Sequence, residues 1–176
     1  MQKWKRLLRS GIICLLLVLA GALTACASDF NDAADIKIGP FTPGLAFDEE
    51  FTEGYLSLRQ GNSMHPAAGG LPARNDIHFK KGDISVNEGK FLAMDTSWQS
   101  EYLQTPRKIG VGSTKEQVLD AYGSPAFTDE KFIRGLGWLP VYTYGSNYQQ
   151  AGLEFYISKL TGKVIRIRFY SQGLKL

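Results

Sequence analysis

The chain has 176 residues, with 20 Lys and Arg against 17 Asp and Glu, two His and two Cys, and 44% of it is hydrophobic. That is the composition of one globular domain with an appendage, and it excludes disordered, collagenous and disulfide-framework proteins. The formal charge of +3 misleads, because Lys3, Lys5, Arg6 and Arg9 precede the first acid, Asp29; without them 16 bases face 17 acids, which argues against a nucleic-acid binder.

The first 25 residues predict a signal peptide. After the basic start comes an uncharged, mostly apolar run, 11–23, too short for a span of ~20 residues and right for the apolar core of a secretory signal. It ends in Leu23-Thr24-Ala25-Cys26. This resembles the lipobox of bacterial lipoproteins. The resemblance implies cleavage between Ala25 and Cys26, a diacylglycerol and a further acyl chain such as palmitate on Cys26, and anchoring of the protein to a membrane on its extracytoplasmic side in the cell envelope. Cys14 lies within the leader and has no assigned role.

Residues 26–35 are small, polar and acidic and read as a flexible tether. Residues 36–103 form an N-terminal half with 12 acids and 6 bases from Cys26 onward. It contains a candidate helix over 49–58, candidate strands at 76–80, 83–86 and 90–94, and a long irregular loop over 62–74. Residues 104–176 carry 5 acids and 10 bases. Either the two halves neutralise each other within one domain, or the asymmetry marks a dipolar surface for a partner.

The second half is the more legible. Ser113 followed by Glu116 reads as a capping box, Val118, Leu119 and Tyr122 share a helical face, and Gly123 with Pro125 ends the helix. Strands follow at 141–144, 153–157 and 164–170, the last two alternating and joined by a short loop containing Gly162. The predicted fold class is α+β: a short helix packed on one face of a three- to four-stranded antiparallel meander. The order helix, strands, helix, strands hints at a degenerate duplication of this unit. The stretch 109–125, with its Gly110, Val118 and Gly123-Ser124-Pro125, resembles the small lipoproteins of the outer-membrane assembly machinery and the repeats of the β-lactamase-inhibitor-like fold. That resemblance implies a scaffold and assigns no functional atom.

For function, no nucleophile motif, phosphate-binding loop or cysteine metal site occurs, and no cofactor is expected. The leading expectation is a non-catalytic binding or assembly module with a protein or envelope partner. Its candidate surface is Trp138, Tyr142, Tyr144, Arg166 and Arg168, an aromatic and basic platform on the open side of the sheet. The alternatives are a secreted metal-dependent hydrolase using His65 and His78, with Asp76 and Asp83 beside them, or an inhibitor-type module that plugs an enzyme cleft.

Overall fold

The computed structural model describes residues 29–68, 72–97 and 99–171. The leader, the lipobox and Cys26 lie outside the described residues. In chain order the elements are α1 (Asp32–Asp35), α2 (Glu49–Leu56), β1 (Arg59–His65), β2 (Arg74–Phe79), β3 (Gly82–Asn87), β4 (Lys90–Thr96), α3 (Lys115–Tyr122), β5 (Phe127–Ile133), β6 (Gly137–Tyr144), β7 (Ala151–Ile157) and β8 (Val164–Ser171).

All eight strands form one sheet in the order β1-β2-β3-β4-β8-β7-β6-β5, and every neighbouring pair is antiparallel. This overturns the expectation of a short helix on a three- to four-stranded meander. Each half does contribute a helix and four strands, but the halves fuse where β4 meets β8, with Met94 opposite Phe169 and Asp95 opposite Arg168. A separate meander would leave β8 with an open edge; here β4 covers it. At this seam the Thr96 hydroxyl donates to the Ile167 carbonyl at 3.2 Å and accepts from the Ile167 amide at 2.9 Å.

Register explains the core. Ile77, Ile84, Met94, Phe169, Leu153 and Tyr144 stand opposite one another across six successive strands. All six are buried, under a layer containing Ile36, Ile38, Phe41, Leu56, Leu103, Ile109, Val118 and Tyr122. Because side chains alternate along a strand, the next residue on each strand faces the other way. Those residues are His78, Asp83, Asp95, Arg168, Glu154 and Thr143. One register therefore sets an apolar row on the covered face and a charged row on the open face.

Both longer helices are held by caps and packing, as their eight residues are too few for stability alone. The Asp48 carboxylate accepts from the Phe51 amide at 2.8 Å to start α2. For α3 the cap lies one residue later than expected. Thr114 accepts from the Gln117 amide, and the Gln117 side chain accepts from the Thr114 amide at 2.8 Å, whereas Ser113 accepts from the Gly110 amide. Gly123 ends the helix at φ 73° and ψ −155°, a region essentially reserved for glycine. Thr114→Ala should therefore cost about 1 kcal/mol, and Gly123→Val should cost more than Gly123→Ala. Urea melts of the three variants check both statements; equal midpoints for the Thr114→Ala variant and the parent would contradict the cap.

Residues 29–35, read from sequence as part of a tether, are folded onto the domain. Phe30 packs on the rings of Tyr122 and Tyr144 at 6.0 Å each, Asp32 accepts from the Ser146 amide at 2.8 Å, and Asp35 is buried against Arg107. The irregular loop expected over 62–74 is shorter, since β1 extends to His65.

A charged groove on the open sheet face

The open face is built from alternate residues of β2, β3, β4, β8 and β7. Its central row reads His78, Asp83, Asp95, Arg168, Glu154 from strand to strand. Like charges directly opposite one another destabilise a sheet, and opposite charges stabilise it. Asp83 and Asp95 are like charges in register, and each has a side-chain partner of its own. His78 Nδ1 lies 2.9 Å from Asp83 Oδ1, and the Arg166 guanidinium reaches Asp95 at 2.7 and 2.9 Å.

Glu154 is 3% exposed. A buried carboxylate needs partners, and it has two close ones: Lys131 Nζ at 2.5 Å and the Tyr156 hydroxyl, which donates at 2.8 Å. Arg168 lies between Asp95 and Glu154 but is only loosely tied to them, at 3.7 and 3.9 Å. Its Nε is buried with no hydrogen-bond partner. Its guanidinium lies over the Tyr170 ring, 5.5 Å from the centroid.

The floor drops beside this row because the neighbouring row is small. Ser85, Ala93 and Gly152 belong to it, with Tyr170 between Ala93 and Gly152. A Cβ at Gly152 would sit 2.7 Å from the Tyr170 hydroxyl, so glycine is what lets that ring cross β7 and donate to the Tyr148 carbonyl. Tyr148 and Gln149 stand on this side and Pro72 on the other, around a groove of about 480 Å³. Small-molecule sites span ~300–1,000 Å³.

Burial pushes the Asp95 carboxyl above its ordinary range, and the Arg166 guanidinium pulls in the opposite direction without cancelling it. Burial likewise raises the Tyr170 hydroxyl to about 12. In both groups burial disfavours the charged form.

The expected platform is not assembled. Tyr142 stands opposite Phe155, which stands opposite Ile167, so Tyr142 and Tyr144 belong to the covered face. Tyr144 is buried and donates to the Gly123 carbonyl at 3.0 Å. Trp138 is 59% exposed at the β5–β6 hairpin tip, 5.8 Å from Phe132 and away from Arg166 and Arg168. Only the two arginines remain on the open face, and the structure supplies them with Asp95, Glu154 and Lys131.

No known protein family and no curated protein matches the sequence. Among the solved structures similar to it are two extracellular proteins. One is a cysteine-rich secretory protein from Staphylococcus aureus, at 10% identity and a TM-score of 0.43, over 73% of this chain and 44% of that one. The other is an extracellular protein containing an SCP domain from Bacillus anthracis, at 12% identity and a TM-score of 0.43, over 72% and 44%. The chain thus spans less than half the length of either.

The residues of the hydrolase alternative do lie on the open face, but as two separate pairs. His65 Nε2 is 3.1 Å from Asp76, and His78 is paired with Asp83. His65 stands opposite Arg74. His78 is four residues beyond Arg74 on that strand, and each imidazole is taken by its own carboxylate. Among the described residues no three His, Cys, Asp or Glu side chains converge on a metal site. The Ser85 hydroxyl donates to Asp76 at 2.6 Å. The carboxylate rather than an imidazole thus touches the hydroxyl, the reverse of the order that activates a serine.

Proposed function

We propose that the chain is a lipid-anchored extracytoplasmic protein whose folded part is a non-catalytic binding module, with its ligand in the groove of the open sheet face. The anchoring rests on Leu23-Thr24-Ala25-Cys26 placed directly after a signal-sized apolar run. Among the described residues no helix is long and apolar enough to cross a membrane. The binding role rests on one observation: a partly exposed arginine, Arg168, sits on a groove floor where both adjacent carboxylates have closer cations. A binding site places a few polar groups in a concave surface to orient its ligand. The groove has that arrangement, with Arg168 in its lining.

The anchoring is tested by mass. The wild-type chain should leave membranes with an acylated Cys26 as its first residue, two or more acyl chains being needed for a stable anchor. Cys26→Ala should carry no lipid and keep the leader or lose it elsewhere. A mature N-terminus at any other residue in the wild type would overturn the reading.

A further inference from the structure

The groove floor carries its charges in an order that selects a ligand, and the following rests on the reading of this face as a binding site. We propose that the groove takes a short zwitterionic peptide, its carboxylate on Arg168 and its ammonium on Asp83.

The anion end follows from which cation is spare. Asp95 is held by Arg166 at 2.7 Å and Glu154 by Lys131 at 2.5 Å. Arg168 approaches the same carboxylates no closer than 3.7 Å; its buried Nε has no acceptor, and its side chain also meets the Tyr156 hydroxyl. A planar guanidinium with donors to spare matches a carboxylate two bonds at a time. Tyr170 beneath it and Gln149 beside the groove frame that position.

The cation end follows from the register. Asp83 lies in the same row as Arg168, two strands away through Asp95. Strands lie ~4.8 Å apart, so the two backbone positions are roughly 10 Å apart. An extended chain covers at most ~3.5 Å per residue, so two or three residues bridge them. The Asp83 side chain is half exposed, with His78 as its partner at 2.9 Å. Ser85 and Ala93 keep the floor beside this row low, leaving room for the peptide between the two ends. An anionic sugar would satisfy Arg168 but would offer Asp83 no positive charge.

Calorimetric titration of the full chain in detergent micelles tests this, with trialanine, N-acetyl-trialanine, trialanine amide and glucuronate as probes. Trialanine should bind, and capping either end should weaken binding about tenfold or more, as loss of a charge-assisted pair requires. Arg168→Gln should bind the acid and its amide alike, and Asp83→Asn should bind the free and acetylated peptides alike. Arg168→Lys, which keeps the charge and loses the fork, should fall between, and thermal melts of all variants should match the parent. If Arg168→Gln still distinguishes acid from amide, the assignment of the carboxylate is overturned. Binding of glucuronate through Arg168 without binding of trialanine overturns the peptide and leaves the groove standing as a site. No binding of either at roughly 10 mM, the weak end of specific recognition, overturns both the peptide and the groove reading. The lipid on Cys26 is untouched by any of these outcomes.

Discussion

Arg166→Glu should destabilise the domain by about 3–5 kcal/mol, the usual cost of breaking a buried ion pair from one side. Arg166 donates from Nε to Asp95 at 2.9 Å and approaches its second oxygen at 2.7 Å from Nη2. Its guanidinium also lies over the Tyr156 ring, 5.3 Å from the centroid. Asp95 is mostly covered and has Asp83 opposite it on β3. With glutamate at 166, three carboxylates would crowd one patch, faced by Arg168 and, at Asp83, by His78. Alternation alone suggests that Arg166→Glu with Arg168→Glu leaves a folded protein, because it places both arginines on a solvent face. The structure corrects this: the face is open to the groove but its floor is dry enough to shift the Asp95 carboxyl. Asp95→Lys should recover part of the loss in the Arg166→Glu background, since the pair is then reversed rather than broken. Guanidinium melts of the two single variants and the double variant give the coupling directly. Additive losses would show that the two side chains do not interact.

The same comparison shows where the sequence was legible. β7 and β8 alternate strongly, so Leu153, Phe155, Ile157, Ile167 and Phe169 could be placed inside and Arg166 and Arg168 outside. Their partners could not be found, because Asp95 is 71 residues from Arg166 and no local pattern encodes that register. For the same reason the sequence alone places Tyr142 and Tyr144 beside the arginines. Their face is fixed by pairing with β7, through Tyr142 opposite Phe155, and a short β-branched and aromatic run has no polarity of its own. The two edge strands were missed. β5 has the charged centre Asp129-Glu130-Lys131 and β1 is mostly polar, as edges that resist intermolecular pairing often are. Pro140, just before the strand expected at 141–144, reads from sequence as a strand boundary. In the structure it lies inside β6 opposite Glu130 of the edge strand, one residue beyond the ladder to β7. The charge split between halves had a structural answer. Acidic Asp35 and Asp95 of the first half meet Arg107, Arg166 and Arg168 of the second.

Arg107→Ala should release the N-terminal segment, weakening its attachment to the domain by about 3–5 kcal/mol, again the range for a buried pair broken from one side. The two side chains are 15% and 6% exposed, and two guanidinium nitrogens meet the two oxygens of Asp35 at 2.8 and 2.6 Å. Arg107 also donates to the Ala121 carbonyl in the last turn of α3 at 2.8 Å and to the Asp29 carbonyl at 2.9 Å. Its guanidinium lies over the Tyr122 ring, 4.9 Å from the centroid. A cation at the C-terminal turn of a helix is favourable in itself, and here it joins that turn to residues 29–35. Without it, Asp35 keeps its bond from the Asn31 amide but faces burial with an unmatched charge. Hydrogen exchange should then speed up across 29–36 and at the end of α3 while β7 and β8 stay protected. Adding Asp35→Ala should cost less than it does alone, since the unmatched carboxylate is gone. Uniform acceleration over the whole chain would show that the clamp belongs to the global fold rather than to this segment. The clamp also bears on the proposed anchor. Cys26 precedes Asp29 by three residues, a reach of at most roughly 10 Å. With residue 29 clamped, the lipid would hold the domain close against the membrane. Arg107→Ala would lengthen that reach by the seven residues from 29 to 35, to about 35 Å. Energy transfer from a labelled bilayer to a dye on the exposed β5–β6 tip should report the change as a broadened distance distribution.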